Sequence, residues 1–186
     1  YYLAVADIVS EEMRKVSEIT GRKYDLFDYT GVPDPEMVIV MMGSGAEAAH
    51  EAIKYMNDRG DKVGLIKVRL FRPFSAKHLL STIPESTKRI AVLDRTKENG
   101  APGEPLYLDV CSVLREAGRD ISVVGGRYGL GSKDLTPSMI KAVFKNLEMP
   151  QPKNHFTIGI TDDVTYLSLP FDDHIDASPK GVVRCK

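Results

Sequence analysis

Short apolar runs alternate along this chain with segments whose apolar positions recur every three or four residues. The first pattern predicts buried strands and the second amphipathic helices. Strands are predicted at about Met37 to Met42, Val63 to Val68, Arg89 to Leu93 and Ile121 to Val124. Each is followed by a helical pattern. The first helix, about Ala46 to Asp58, turns Ala46, Ala49, Ile53 and Met56 to one face and Glu47, Glu51, Lys54 and Asp58 to the other, and Gly60 stops it. A short helix, Ala76 to Thr82, has Ser75 as its predicted N-cap. The next turns Leu106, Val110, Val113 and Ala117 inward and ends at Gly118. In the last, Thr136 caps, Pro137 takes the first position, and Ile140, Val143, Phe144 and Leu147 face the core.

Near-continuous apolar strands separated by helices predict an α/β domain over about residues 36–150. The expected architecture is a three-layer sandwich around a mainly parallel sheet of about five strands. Right-handed crossovers would then place every strand-to-helix loop on one edge. Residues 1–35 read as an N-terminal helix and a linker. Val5, Val9, Val16 and Ile19 share the predicted helix face, with Glu12 interrupting it. Gly21 caps the helix, and the prolines and glycine of Tyr24 to Pro35 argue against regular structure there. Residues 151–186 read as an extension: Phe156 to Ile160 is strand-like, and Asp162 to Lys186 is an extended tail.

Composition narrows the function. The chain has 186 residues, 42% hydrophobic and 27% charged, with a formal net charge of -1. That balance gives no bulk electrostatic case for nucleic acid or an anionic membrane. No apolar run approaches the ~20 residues of a membrane helix. The two cysteines, Cys111 and Cys185, suit a reducing cytoplasm and cannot supply the set an iron–sulfur cluster needs. The absence of an initiator Met and the abrupt end at Cys185-Lys186 read as a piece of a longer polypeptide.

Three constellations are candidates for chemistry. Gly43-Ser44-Gly45-x-x-Ala48 fits the dinucleotide pattern, but the second strand ends in Val68-Arg69 where a ribose-binding acid is expected. Arg69 would suit a 2′-phosphate; the alternative is that Gly43 and Gly45 serve only the turn and close helix packing. The second is the loop edge, where Arg69, Arg72, Arg95, Lys97, Arg127 and Lys133 accompany Glu98 and Asp134. No single loop clusters enough donors to cradle a diphosphate, so docking against a neighbouring domain is the favoured reading. The third is Asp172-Asp173-His174-x-Asp176, metal-like on paper but a poor site with one His and flexible carboxylates. Cys111, beside Val110 in mid-helix, reads as a core thiol.

The loop strings are more distinctive than the fold. Tyr24-Asp-Leu-Phe-Asp-Tyr29, Lys67-Val-Arg-Leu-Phe-Arg-Pro-Phe-Ser75, Ala91-Val-Leu-Asp-Arg-Thr-Lys-Glu98, Gly103-Glu-Pro-Leu-Tyr-Leu-Asp109, Gly125-Gly-Arg-Tyr-Gly-Leu-Gly-Ser132 and Phe156-Thr-Ile-Gly-Ile-Thr-Asp-Asp-Val164 together resemble the pyruvate:ferredoxin (or flavodoxin) oxidoreductase family. The resemblance covers essentially the whole chain and points to the second domain, similar to the carboxyl-terminal domain of transketolase. It implies a cytoplasmic, multidomain, homodimeric parent. That enzyme oxidises pyruvate on thiamine diphosphate with magnesium, passes electrons through iron–sulfur clusters to ferredoxin or flavodoxin, and forms acetyl-CoA from coenzyme A. It implies no catalytic, cofactor or metal residue in this stretch. Gly43, Ser44, Gly45, Arg69, Arg72, Phe74, Arg95, Lys97 and Arg127 remain as a candidate interdomain or ligand edge. The rival readings are an NADP-binding domain using Gly43, Gly45 and Arg69, and the C-terminal domain of a transketolase or dehydrogenase β subunit.

Overall fold

A computed structural model describes residues 2–161, 163–172 and 175. In chain order the elements are α1 (Tyr2–Thr20), β1 (Phe27–Gly31), β2 (Met37–Met42), α2 (Gly45–Asn57), β3 (Val63–Val68), α3 (Ala76–Thr82), β4 (Arg89–Asp94), α4 (Pro105–Glu116), β5 (Ser122–Arg127), a single 3-10 turn (Leu130–Ser132), α5 (Pro137–Glu148) and β6 (Phe156–Thr157). They build one sheet in the order β1-β3-β2-β4-β5-β6. β2 to β6 are parallel, and β1 is antiparallel to β3.

The expected three layers are present. Alternate side chains of the central strands face opposite cores. Ile39, Met41, Leu65 and Leu93 pack under α2 and α5 with Ile53, Ile140, Val143 and Phe144. Val38, Val40, Ile66 and Val92 pack on the other face with Leu79, Leu106 and Val110, and α1 adds Ala6. Each fully buried side chain of this size contributes about 1.5–3 kcal/mol. Thr136 caps α5 as predicted, its side chain accepting from Met139 N. Ser75 precedes α3, but its hydroxyl pairs with His78 Nδ1 at 2.7 Å instead of capping the backbone.

The sheet has six strands, not five, and one extra strand lies where no regular structure was expected. β1 occupies Phe27–Gly31 within the Tyr24–Pro35 segment. Pro33 and Pro35 fall after Gly31, so they bound the strand and do not interrupt it. Leu26 and Phe27 are buried, and the Tyr29 ring lies over Gly64, where a Cβ would come within 2.6 Å. The Tyr29 phenol is pushed up to about 12 by this burial, with Asp34 adding to it.

Other boundaries differ for local reasons. β5 runs on through Gly125, Gly126 and Arg127, because the missing Cβ atoms leave room for Tyr107 and Phe156. On α4, Leu114 is buried and Ala117 is exposed at the C-cap. On α1 the packed stripe is Ala6, Val9 and Met13, while Val16 and Ile19 face solvent. α5 shares the α2 face, whereas α3 and α4 cover the other. The crossover into β6 therefore has the opposite hand to the three before it. The loops still share one edge, because parallel strand direction sets that.

The segment after β6 is not simply extended. Leu169 N donates to Thr157 O at 2.9 Å, and Asp163 accepts from Ser168 N at 2.6 Å. Hydrogen bonds from Thr165 and Ser168 hold the Asp163 carboxyl down at about 2. Residues 173, 174 and 176–186 lie outside the described residues, and with them Asp173, His174, Asp176 and Cys185.

Candidate functional site

The carboxyl ends of β2 to β5 lie on one edge, and the strand order reverses between β2 and β4. Ligands of open parallel sheets bind at such a switch point. Here it carries a cleft of about 230 Å³ lined by Ser44, Gly45, Ala48, Arg95, Tyr128, Lys133, Asp134 and Leu135.

The glycine turn is built for packing. Gly43 has φ +76°, a conformation glycine adopts freely. Gly45 begins α2 directly under Tyr128: a Cβ there would lie 2.7 Å from the ring. The Tyr128 hydroxyl donates to Met42 O at 3.1 Å, which pins the ring over the turn. Burial pushes the phenol up, while neighbouring Arg95 draws it back. A dinucleotide pyrophosphate would need the space this ring fills. Gly45→Val is therefore expected to lower stability by about 1–3 kcal/mol. Thermal melts check this, and an unchanged midpoint would contradict the packing role.

The edge cations separate into two groups. Three are committed inside the domain. Arg69 Nε pairs with Asp28 and its guanidinium stacks on Tyr24, so it is not free for a 2′-phosphate. Arg72 binds Asp109 at 2.6 Å and lies 3.7 Å over the Phe71 ring. Arg127 binds Glu104 at 2.5 Å, with both side chains largely out of water. Arg95, Lys97 and Lys133 have no carboxylate partner among the described residues and are exposed. The Arg95 side chain lies across Gly129, where a Cβ would meet its Nε at 2.9 Å. The aromatic string is internal too: Phe74 packs edge-on against Phe27 and Phe71, and both Phe71 and Phe74 are half-buried.

Buried acids that patterning did not single out tie down the base of the loop carrying Arg95, Lys97 and Glu98. Asp94, 2% exposed, accepts from the backbone N–H of Leu106 and Tyr107 and so caps α4 across the loop. Burial pushes its carboxyl up, against the pull of those two hydrogen bonds. Glu104 at the N-cap turns away from the helix to Arg127, leaving its Oε2 buried without a partner. Lys67, buried in β3, reaches Glu47 with Nζ 2.9 and 3.0 Å from its two carboxylate oxygens. The signal for these groups was present in the sequence as charged residues inside apolar strings.

Among the described residues no three His, Cys, Asp or Glu side chains converge on a common point. Two cysteines in the chain cannot hold a four-cysteine cluster. Cys111 is half-buried on α4, and burial pushes its thiol up, away from nucleophilic character. Among the described residues no helix is long and apolar enough to cross a membrane.

Fold and edge together define an α/β domain with one antiparallel edge strand and a basic loop edge at the carboxyl ends of its parallel strands. Residues 35–140 match the family model for pyruvate:ferredoxin oxidoreductase core domain II, and the chain belongs to that family. It is 63% identical over 186 residues to the pyruvate:ferredoxin oxidoreductase of Moorella thermoacetica, covering all of this chain and 16% of that protein. It is 52% identical over 187 residues to the pyruvate-flavodoxin oxidoreductase of Trichormus variabilis, covering 99% of this chain and 16% of that protein. The chain thus spans about one sixth of the length of these relatives. Among solved structures, it is similar to a 2-oxoglutarate:ferredoxin oxidoreductase from Magnetococcus marinus with 2-oxoglutarate, coenzyme A and succinyl-CoA bound. That likeness has a TM-score of 0.49 and 17% identity, over 71% of this chain and 21% of the other.

Proposed function

We propose that this chain is a non-catalytic assembly domain of a cytoplasmic, homodimeric pyruvate:ferredoxin or pyruvate:flavodoxin oxidoreductase. The parent uses thiamine diphosphate with magnesium and iron–sulfur clusters, and transfers the acetyl group to coenzyme A. The names of the relatives, pyruvate:ferredoxin and pyruvate-flavodoxin oxidoreductase, support the parent's reaction. Residues 36–150 form the docking body, residues 1–35 attach it on one side, and residues 151–186 lead toward the next domain.

One observation carries the assembly role. The Arg69, Arg72 and Arg127 side chains are already paired within the domain, and Tyr128 covers the glycine turn. The cleft at the switch point, about 230 Å³, is below the ~300–1,000 Å³ that drug-sized ligands occupy; the larger clefts of about 470 and 550 Å³ share no residue with it. Arg95, Lys97 and Lys133, without a carboxylate partner among the described residues, are then placed to meet carboxylates of a neighbouring domain, where charge complementarity sets orientation more than affinity.

Calorimetry of the isolated chain tests the non-catalytic half of this reading. No heat of binding is expected with thiamine diphosphate and magnesium, or with NADPH, at concentrations up to about 1 mM, which would reveal any affinity better than ~4 kcal/mol. A stoichiometric signal with either would overturn it.

A further inference from the structure

α1 carries two apolar stripes side by side. Ala6, Val9 and Met13 face the domain and join its second core. The neighbouring stripe, Ile8, Val16 and Ile19, faces water, with Ile8 51%, Val16 46% and Ile19 85% exposed. At 100° per residue Ile8, Glu12, Val16 and Ile19 fall within one quadrant, adjacent to the packed one. The one charge in that quadrant is neutralised locally, because Lys15 Nζ holds Glu12 at 2.7 Å. A surface helix of a self-sufficient domain keeps its solvent side polar, and α1 does so only on its far side, with Glu11, Arg14 and Glu18.

We propose that this outer stripe is a second interdomain seam, covered in the parent by an apolar surface of another domain of the same polypeptide. Two observations choose that occupant over a second copy of this chain. The relatives place 84% of their length outside the matched segment, since it covers 16% of them, so apolar surface for the seam is available in the same chain. The stripe is also small. A helix of 19 residues is about 28 Å long, and an apolar band about 10 Å wide on it offers roughly 300 Å². That is well short of the ~800 Å² per partner of a stable interface between separate molecules. A tethered neighbour, at an effective concentration in the ~mM range, needs no more. The seam lies in the α3–α4 layer, away from the switch-point cleft under α2 and α5, so it does not depend on the role given to the loop edge.

Thiol labelling tests the seam. Ile8→Cys and Ile19→Cys are made singly in the full-length parent and in the isolated 1–186 chain, with Glu18→Cys on the polar side of α1 as the control. Maleimide incorporation is followed peptide by peptide. Positions 8 and 19 should label at least about tenfold more slowly in the parent than in the isolated chain, with position 18 changing less than about threefold. Hydrogen exchange of the unsubstituted proteins should show the same slowing for the amides of α1, without any mutation. Equal rates in parent and isolated chain would overturn the seam. So would a slowing in the isolated chain as its concentration is raised, which would make a second copy the occupant.

Discussion

Replacing Arg127 by methionine is expected to lower the stability of this chain by about 3–5 kcal/mol. Glu104 is 1% exposed, and the only hydrogen-bond partner of its carboxylate among the described residues is the Arg127 guanidinium. Removing the arginine strands a carboxylate where water cannot reach it. The loss should nearly vanish when both members are replaced together, Arg127→Met with Glu104→Leu, because an apolar pair of similar volume commonly matches a buried ion pair. Urea denaturation of the two single variants and the double variant gives the coupling directly. Single variants within about 1 kcal/mol of the native protein would mean that the pair is solvated and does not hold the loop. The pair joins the end of β5 to the start of α4, so its loss should also loosen the loop that presents Arg95 and Lys97.

The second large effect is expected at Gly126. A Cβ there would lie 2.2 Å from Phe156 Cζ and 2.9 Å from Leu93 Cδ2. Both neighbours are fully buried, so neither can swing aside into solvent. Gly126→Val should cost about 3 kcal/mol, the upper part of the usual overpacking range, and should detach β6 before the rest of the sheet melts. Hydrogen exchange would show this as early loss of protection at Ile158, whose N–H donates to Arg127 O at 3.0 Å. Full protection there with an unchanged melting point would contradict the packing.

These two sites mark where sequence reading stopped. The four central strands and the helices after them were legible, because full burial on both faces leaves continuous apolar runs and one-sided helices leave a 3.6-residue period. β1 was not legible. It is short, at the edge, and followed by two prolines that look like breakers when their position relative to Gly31 is unknown. The faces of α1 were misjudged for a related reason: two apolar stripes are present, and periodicity alone does not say which one the domain uses. At the loop edge the cations were legible as a set, but not their division. That Arg69, Arg72 and Arg127 are satisfied internally while Arg95 and Lys97 are not depends on Asp28, Asp109 and Glu104, two of them more than thirty residues away from their partners along the chain. Tyr128, which closes the glycine turn, is brought to Gly45 only by the pairing of β5 beside β4.

The assembly role of that edge is tested most directly by charge reversal in the full-length parent. Arg95→Glu combined with Lys97→Glu touches two exposed side chains without ion pairs among the described residues, so the domain itself should fold normally. Size-exclusion profiles and steady-state kinetics are then compared with those of the native enzyme. The expected result is impaired domain assembly or dimerisation, with Michaelis constants for pyruvate and coenzyme A within about threefold of native. Normal assembly with either constant raised at least about tenfold, a loss of about 1.4 kcal/mol, would make the edge a ligand site and contradict the role assigned to it.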